Sequence, residues 1–182
     1  SRSDIRRLVE AGEQAGTSWP RDTDGAPLYP GGPDEEGEEG APYILRLDMA
    51  RAIERVGPDM SWNESGLGPG GETGEIAADP AAWGDVILAR RDAPTSYNLS
   101  VVVDDALQGV THVVRGRDLF HATSVHVLLQ ELLGFPRPHY FHHDLVLADD
   151  GRKLSKSNRD TSLQSLRAAG ATPGDIRRMI GL

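Results

Sequence analysis

The second half of the chain alternates short apolar runs with a helix-like segment, and this alternation limits the folds open to it. Apolar runs occur at residues 85–89, 110–114 and 145–147, and each has the length of one buried strand. Thr123–Leu133 repeats apolar side chains at helical spacing and is followed by Gly134, a typical helix C-cap. Strands separated by helices favour an α/β fold with a parallel sheet. Ligands of such sheets bind beyond the carboxyl ends of the strands.

One segment is compatible with two kinds of structure. Three consecutive valines at residues 101–103 favour a strand by propensity. Tyr97, Val101 and the Asp104–Asp105 pair also lie at helical spacing. The pattern of residues 96–107 therefore leaves both a strand and a helix open.

The first half is rich in proline, glycine and acidic residues, which predicts a loop-rich module with little core. Ser3 is a candidate N-cap for a first helix, and Met49–Val56 predicts a second, short helix. Residues 43–47 predict a short strand, and the acidic run at 34–39 predicts a solvated loop. The glycine-rich stretch at 66–74 lacks the G-K-[S/T] ending of a phosphate-binding loop and predicts a surface turn.

Composition excludes several classes of protein. No run approaches the roughly 18 apolar residues that a membrane span requires, and the mean hydropathy is −0.42. The sequence contains no cysteine, which excludes disulfides and thiolate-bound metals and fits a cytoplasmic location. The formal net charge is −9, and the acidic excess lies in the first half, so a polyanionic partner would contact the second half.

A cationic loop near the C-terminal end suits a polyphosphate ligand. The string KLSKS at residues 153–157 places Lys153 and Lys156 three positions apart, next to serine hydroxyls. Two ammonium groups can approach phosphate oxygens while the hydroxyls and loop amides add donors. Basic, serine-rich loops are also common on solvated surfaces, so these five residues alone leave both interpretations open.

The segment Arg90–Asp118, RRDAPTSYNLSVVVDDALQGVTHVVRGRD, carries a family resemblance. It resembles the second half of the catalytic domain in the glutamyl branch of class I aminoacyl-tRNA synthetases, and the lysine loop falls where that family has its KMSKS signature. Residues 90–182 look most like the glutamyl-Q tRNA(Asp) synthetases, short paralogues without an anticodon-binding domain. The resemblance implies a connecting module at 1–84, the second half of a Rossmann-type α/β catalytic domain at 85–150, and a KMSKS-type loop with C-terminal helices at 151–182.

The same resemblance implies roles for individual residues. Tyr97 and Arg115 would line a glutamate pocket, with the guanidinium pairing bidentately with a carboxylate. Lys156 would contact ATP and stabilise the charge that develops as the α-phosphorus is attacked, and Lys153 would assist. ATP with Mg²⁺ would be the nucleotide substrate.

The activity that the resemblance implies is ATP-dependent activation of L-glutamate, followed by transfer of the glutamyl group to queuosine at the wobble position of tRNA(Asp). The expected partners are L-glutamate, ATP and queuosine-containing tRNA(Asp), with no membrane and a monomeric protein. Two related alternatives remain: a discriminating glutamyl-tRNA synthetase, and a non-catalytic tRNA-binding paralogue.

The sequence also departs from the family pattern. The HIGH-type sequence, the half-fold that carries it, and an early arginine and glutamate of the amino-acid pocket are absent. We therefore expect an incomplete chain, the C-terminal part of such an enzyme, inactive alone. The family's zinc site requires cysteines; here Tyr29 is kept, but Pro33 stands where the last cysteine belongs. A lone tyrosine cannot hold zinc tightly, so the zinc site is expected to be lost.

Two groups of residues suggest protein-bound metal instead. A metal-dependent hydrolase could be drawn from clustered histidines and a neighbouring aspartate, but no H-E-x-x-H or similar spacing is present, so no metal is expected. The Asp104–Asp105 pair could be drawn as Mg²⁺ ligands, but a structural role is preferred because the family's metal travels mainly with ATP. The histidines and the aspartate of the hydrolase alternative are His121, His126, His139, His142, His143 and Asp144.

Overall fold

The computed structural model describes residues 2–31, 43–147, 151, 154 and 162–180 of the 182-residue chain. The chain divides into two compact units, Ser1–His143 and Asp144–Leu182. Described helices of the first unit are α1 (Arg2–Gln14), α2 (Met49–Val56), α3 (Tyr97–Gln108) and α4 (Thr123–Leu133). Its described strands are β1 (Ile44–Arg46), β2 (Ser61–Glu64), β3 (Gly74–Ala77), β4 (Ile87–Arg90), β5 (His112–Gly116) and β6 (His139–His143).

A mixed four-stranded sheet in the order β3-β2-β6-β5 forms the centre of the first unit. Strands β5 and β6 are parallel, β2 adds to β6 in parallel at the pair Glu64 and Tyr140, and β3 adds to β2 as an antiparallel hairpin. The predicted α/β class with parallel strands is confirmed. Strands β2 and β3 lie before residue 84 and strands β5 and β6 lie after it, and all four belong to one sheet within one compact unit. The domain boundaries at 84 and 150, which follow the architecture of the family, stay a prediction.

The apolar run at residues 85–89 does not belong to the parallel sheet, contrary to the prediction from alternation. Its strand, β4, covers Ile87–Arg90 and pairs with β1 as a separate antiparallel ribbon, with Ile44 opposite Arg90. An apolar run of this length indicates a buried strand, but it does not indicate which other strand pairs with it. The parallel sheet receives β2 from the first half of the chain instead.

Helix α4 lies at the centre of the core, and all of its side chains from Thr123 to Gln130 are buried. One group of its residues packs with β2, β6 and α2, and another packs with α3. The Trp62 and Phe120 rings meet edge to face, with centroids 5.3 Å apart. The two clusters of buried residues are Met49, Ala52, Met60, Trp62, Phe120, Val127, Leu128 and Tyr140, and Val102, Val125 and Leu129.

The ambiguous segment at residues 96–107 is a helix. The Ser96 side chain accepts a hydrogen bond from the amide of Leu99, and Gly109 ends the helix in the left-handed conformation, with φ of 67°. These two caps, together with packing of Val102 against α4, outweigh the strand propensity of the three valines. Tyr97, a predicted site residue, therefore occupies the first turn of a helix.

The other element predictions met different outcomes. The bounds predicted for α2 and α4, with Gly134 as the C-cap of α4, are confirmed. Ser3 is not an N-cap, because α1 begins at Arg2. Residues 145–147 are not a strand; the strand of that region is β6, which ends at His143. The apolar run at 145–147 was the wrong guide to this strand, because β6 has the sequence HYFHH, with three histidines among its five residues.

The second unit contains two short helices in its described part, α5 (Leu163–Ala168) and α6 (Pro173–Met179). Thr172 and Asp175 form a capping box at the start of α6. Lys153 and Lys156 of the lysine loop lie outside the described residues. Across the described ranges of both units, no helix combines the length and the apolar character that crossing a membrane requires.

Candidate functional site

Arg115 is the centre of a polar cluster at the carboxyl end of β5. Its Nε–H donates to Nε2 of His142 at 3.0 Å, and its Nη1 donates to Nδ1 of His126 at 3.0 Å. Its Nη2 donates to Oγ1 of Thr123 at 2.7 Å and to the carbonyl of Leu119 at 3.3 Å. Four of the five guanidinium N–H groups thus have acceptors, which come from β6, from α4 and from the turn at Arg117–Leu119.

His142 reaches this cluster because of the pleat of β6. Successive side chains of a strand point to opposite faces, and burial alternates along β6, with Tyr140 and His142 inside and their neighbours outside. His139 and His143 therefore point away from His142. The three histidines of this strand are close in the sequence, but His142 lies on the inner face and the other two lie on the outer face.

Glu64 holds the other side of His142. It faces inward from β2 and is 2% exposed. Its Oε2 accepts from Nδ1 of His142 at 2.6 Å, and its Oε1 accepts from the amides of His142 at 2.9 Å and Gly66 at 2.8 Å. Burial alone would raise the pKa of Glu64, but these hydrogen bonds outweigh it and place the pKa below its ordinary value. Glu64 is therefore a buried carboxylate.

Gly66 makes this carboxylate site possible. A Cβ at this position would lie 2.4 Å from the carbonyl oxygen of His142 and 2.7 Å from its amide nitrogen. The stretch at residues 66–74 does form the turn between β2 and β3, as predicted. Its first glycine is nevertheless buried against β6, so that end of the turn is not on the surface.

Hydrogen-bond chemistry fixes the protonation of both histidines. A guanidinium can only donate, so each imidazole nitrogen that faces Arg115 must be an unprotonated acceptor. His142 consequently carries its proton on Nδ1 and donates it to Glu64. His126 carries its proton on Nε2 and donates it to Oδ1 of Asn98 at 2.9 Å. The cluster is thus a chain of donors and acceptors that runs from β2 to α3.

Burial keeps both imidazoles neutral. For His126, burial and then the positive charge of Arg115 lower the pKa to about 3. Burial also lowers the pKa of His142, although the hydrogen bond to Glu64 opposes the shift. Neither ring carries a charge at neutral pH, so Arg115 and Glu64 are the charged members of the chain.

The structure brings Tyr97 and Arg115, the two residues predicted to bind glutamate, to one place. Burial lowers the pKa of Arg115, while the nearby Tyr140, Tyr97, whose hydroxyl accepts a hydrogen bond from the guanidinium, and the charge of Asp105 oppose that shift. The Tyr97 ring lies 6.0 Å from the His126 ring, and Tyr97 is 56% exposed. Tyr97 is therefore the solvent-facing end of the cluster. The role of the two residues in binding glutamate stays a prediction. The expected bidentate pairing does not fit this arrangement, because four of the five guanidinium N–H groups already donate to protein acceptors.

A small cavity opens beside Tyr97. It has a volume of about 290 Å³ and lies between β4 and the first turn of α3. This is close to the lower limit of the volumes of small-molecule pockets, roughly 300 Å³. Its walls combine aliphatic side chains with hydroxyl groups and one arginine. The lining residues are Ile87, Ala89, Arg90, Ala93, Thr95, Ser96 and Tyr97.

The residues considered as metal ligands have other contacts. Burial raises the pKa of Asp105, and the charge of Arg115 opposes that shift, so Asp105 belongs to the surroundings of the cluster. The Tyr29 ring supports the Arg46 guanidinium, 4.1 Å from the ring centroid. Among the described residues, no three or more His, Cys, Asp or Glu side chains are grouped to hold a metal ion. The prediction about zinc still rests on the lack of cysteine.

Sequence reasoning missed most of the cluster. It treated His126 and His142 as candidate metal ligands and gave no role to Glu64, Asn98 or Thr123. HYFHH does not alternate between polar and apolar residues, so the alternating burial of β6 left no period-two signal in the sequence. The partner of His142 lies 78 residues away along the chain, and no local pattern indicates it.

Comparisons with known proteins agree on one family. The sequence profile for "tRNA synthetases class I (E and Q), catalytic domain" matches residues 70–182. Among curated proteins, "Glutamyl-Q tRNA(Asp) synthetase" of Rhodobacter capsulatus is 45% identical over 100% of this chain and 65% of its own length. The protein of the same name from Leptothrix cholodnii is 43% identical over 85% of this chain and 53% of its own length.

More distant relatives carry a second name. "Glutamate--tRNA ligase" of Aquifex aeolicus is 35% identical over 75% of this chain and 26% of its own length. A crystal structure of a glutamate tRNA ligase from Elizabethkingia meningosepticum in complex with its amino acid matches with a TM-score of 0.59 at 24% identity. That match covers 88% of this chain and 31% of the other, and at this identity it shows the fold alone. The chain spans 65% or less of the length of each of these relatives.

Proposed function

Because this chain belongs to the catalytic-domain family of the class I tRNA synthetases for glutamate and glutamine, we propose that the whole protein activates L-glutamate with ATP and transfers the glutamyl group to queuosine at the wobble position of tRNA(Asp). The family is one of ligases of the aminoacyl-tRNA synthetase type. The choice of queuosine is supported by the names of the relatives at 45% and 43% identity.

One observation carries the glutamate assignment: the Tyr97 hydroxyl and the Arg115 guanidinium meet at the carboxyl end of a parallel strand. A fixed cation beside an exposed hydroxyl suits a carboxylate, which accepts hydrogen bonds from both. The cavity beside Tyr97 adds space for a small molecule. This is also the edge of a parallel sheet where ligands of α/β proteins bind.

The proposed chemistry is positioning and charge stabilisation. A carboxylate oxygen of glutamate attacks the α-phosphorus of ATP, the bond to pyrophosphate breaks, and glutamyl-adenylate forms. A queuosine hydroxyl then attacks the acyl carbon, and AMP leaves. Arg115 and Tyr97 hold the amino acid. Lys156, assisted by Lys153, contacts the phosphates of ATP, which enters as its Mg²⁺ complex.

Glutamate-dependent exchange of pyrophosphate into ATP by the complete gene product tests the activation step. Arg115→Lys keeps the charge but loses the guanidinium geometry, so the KM for glutamate should rise at least about tenfold, the effect of losing a charge-assisted hydrogen bond. Arg51→Ala, on the exposed face of α2, is the matched control and should leave KM unchanged. Wild-type glutamate kinetics in Arg115→Lys would contradict the pocket.

The acceptor is tested separately with labelled glutamate and three RNAs: tRNA(Asp) with queuosine, tRNA(Asp) without it, and tRNA(Glu). Label on the first alone supports the proposal. Label on tRNA(Glu) supports a glutamyl-tRNA synthetase, the activity named for the relative from Aquifex aeolicus. Binding of tRNA without pyrophosphate exchange or charging would indicate a non-catalytic paralogue.

A further inference from the structure

We propose that Glu64 and His142 are positioning residues that orient Arg115 toward a carboxylate substrate. His126 and Asn98 would brace the guanidinium from the opposite side. The inference rests on the proposed function, because it takes the carboxylate of the amino acid to bind at Arg115. None of these four residues needs to touch the substrate.

The geometry leaves the guanidinium little freedom. His142 accepts from Nε, His126 accepts from Nη1, and Thr123 and the Leu119 carbonyl accept from Nη2. Rotation about any bond of the arginine side chain would break several of these bonds together. The fifth N–H is therefore also held in one direction, toward the Tyr97 hydroxyl, which accepts a hydrogen bond from the guanidinium.

Glu64 determines which nitrogen of His142 donates and which accepts. Its Oε1 is occupied by two backbone amides, so the carboxylate cannot turn, and its Oε2 receives the proton of Nδ1 of His142. This leaves Nε2 of His142 as an acceptor for Arg115. If His142 carried its proton on Nε2, two donors would face each other and the guanidinium would be displaced. Glu64 therefore acts on Arg115 through the proton position of His142.

Fold stability alone gives a weak reason for such a cluster. Burying a carboxylate, a guanidinium and two imidazoles costs desolvation free energy, and apolar side chains of the same volume often stabilise a core as well or better. Preorganisation gives a stronger reason, since a binding group held in place by hydrogen-bonded neighbours loses less entropy when the ligand arrives.

Imidazole nitrogen NMR of the ¹⁵N-labelled complete gene product tests the proton position. In the wild type, His142 should be neutral with its proton on Nδ1. Glu64→Gln should move the proton to Nε2, because the amide oxygen stays with the two backbone donors and the NH₂ group faces Nδ1. His126 should keep its proton on Nε2 in both proteins. An Nδ1 proton on His142 in the variant would overturn the coupling.

Two substitutions of His142 separate positioning from structure. His142→Gln places an amide oxygen near the position of Nε2, so an acceptor for Arg115 is kept. His142→Asn is shorter and matches Nδ1, so that acceptor is lost. The KM for glutamate in pyrophosphate exchange should stay within about threefold of wild type for Gln and rise about tenfold to a hundredfold for Asn. The KM for ATP should stay the same in both, and His139→Gln, on the outer face of β6, is the control.

The outcomes distinguish this inference from the proposed function. If the wild type shows glutamate-dependent exchange and His142→Asn and Glu64→Gln both keep its KM for glutamate, positioning is wrong and the function stands. If the wild type uses no glutamate, the substrate role of Arg115 fails, and the proton shift in Glu64→Gln would then show a purely structural coupling. Thermal unfolding of each variant confirms that the comparison is made between folded proteins.

Discussion

Arg115 on β5 and Glu64 on β2 do not touch, yet His142 on the strand between them joins the two through its ring nitrogens, at 3.0 Å and 2.6 Å. The proton on Nδ1 of His142 is donated to Glu64 on β2, and the opposite ring nitrogen, Nε2, is left to accept from Arg115 on β5. Because a guanidinium can only donate, the acceptor side of the ring is fixed by Arg115 and the donor side by Glu64. The three side chains therefore behave as a unit, and a change in one should alter the others.

The buried state of His126 predicts a pH-dependent free energy of unfolding. Its pKa falls from 6.5 in the unfolded chain to about 3 in the fold, so between these values the unfolded state binds more protons. Stability should therefore fall as pH drops below about 6.5, by up to about 1.4 kcal/mol per pH unit from this group. His142, whose pKa is also lowered, acts in the same direction. Urea unfolding between pH 7.5 and 5 measures the slope.

His126→Gln should reduce that slope, since glutamine does not titrate. His112→Gln is the control, because His112 is exposed at the start of β5. The same slope in the wild type and in His126→Gln would mean that His126 is protonated inside the fold.

Gly66→Ala should disrupt the Glu64 site. The new methyl group would collide with the backbone of His142, which belongs to a paired strand and cannot move aside cheaply. We expect a loss of about 2 kcal/mol or more in the free energy of unfolding, the range of overpacking substitutions. Gly70→Ala in the same turn meets only the flexible end of Glu72 and should cost less than about 0.5 kcal/mol. Chemical denaturation of the two variants side by side decides.

Ser96→Ala should weaken the start of α3, the turn that carries Tyr97. The serine oxygen accepts from the amide of Leu99, and loss of such a cap costs about 1 kcal/mol. Ser96→Asp supplies an equivalent acceptor and should restore the stability. Thermal unfolding that ranks Ala equal to Asp would show that the cap is not used.

Leu128→Ala should be among the most destabilising substitutions in the first unit. Leu128 is 0% exposed within the cluster between α4 and the sheet, and truncation of a buried leucine costs about 2–5 kcal/mol. Leu107→Ala is the surface control, since Leu107 is 78% exposed on α3. Its effect should stay within about 0.5 kcal/mol. Equal unfolding midpoints for the two variants would contradict the assigned core.

The elements that could be predicted are those with local signals. Helix α4 was predicted with its observed bounds because apolar spacing and Gly134 are both local. The sequence did not decide between a helix and a strand for α3. Three valines favoured a strand, whereas the capping residues Ser96 and Gly109 favoured a helix, and packing against α4 decided between them. Strand β6 was missed because histidines replaced the expected apolar side chains. The Tyr97 and Arg115 pair came from the family resemblance, whereas the partners that fix Arg115 come from strands and helices that only the fold brings together.

The parallel pairing of β2 with β6 has a consequence for folding. Strands β5 and β6 and the helix between them are neighbours in the chain, so they can associate by closing short loops, whereas β2 must reach β6 across 78 residues. We therefore expect β5, α4 and β6 to come together early and β2 to dock late, bringing Glu64 with it. The tautomer of His142 would then be set in the last step. A molecule would acquire a correctly aimed Arg115 only when the first unit has folded completely.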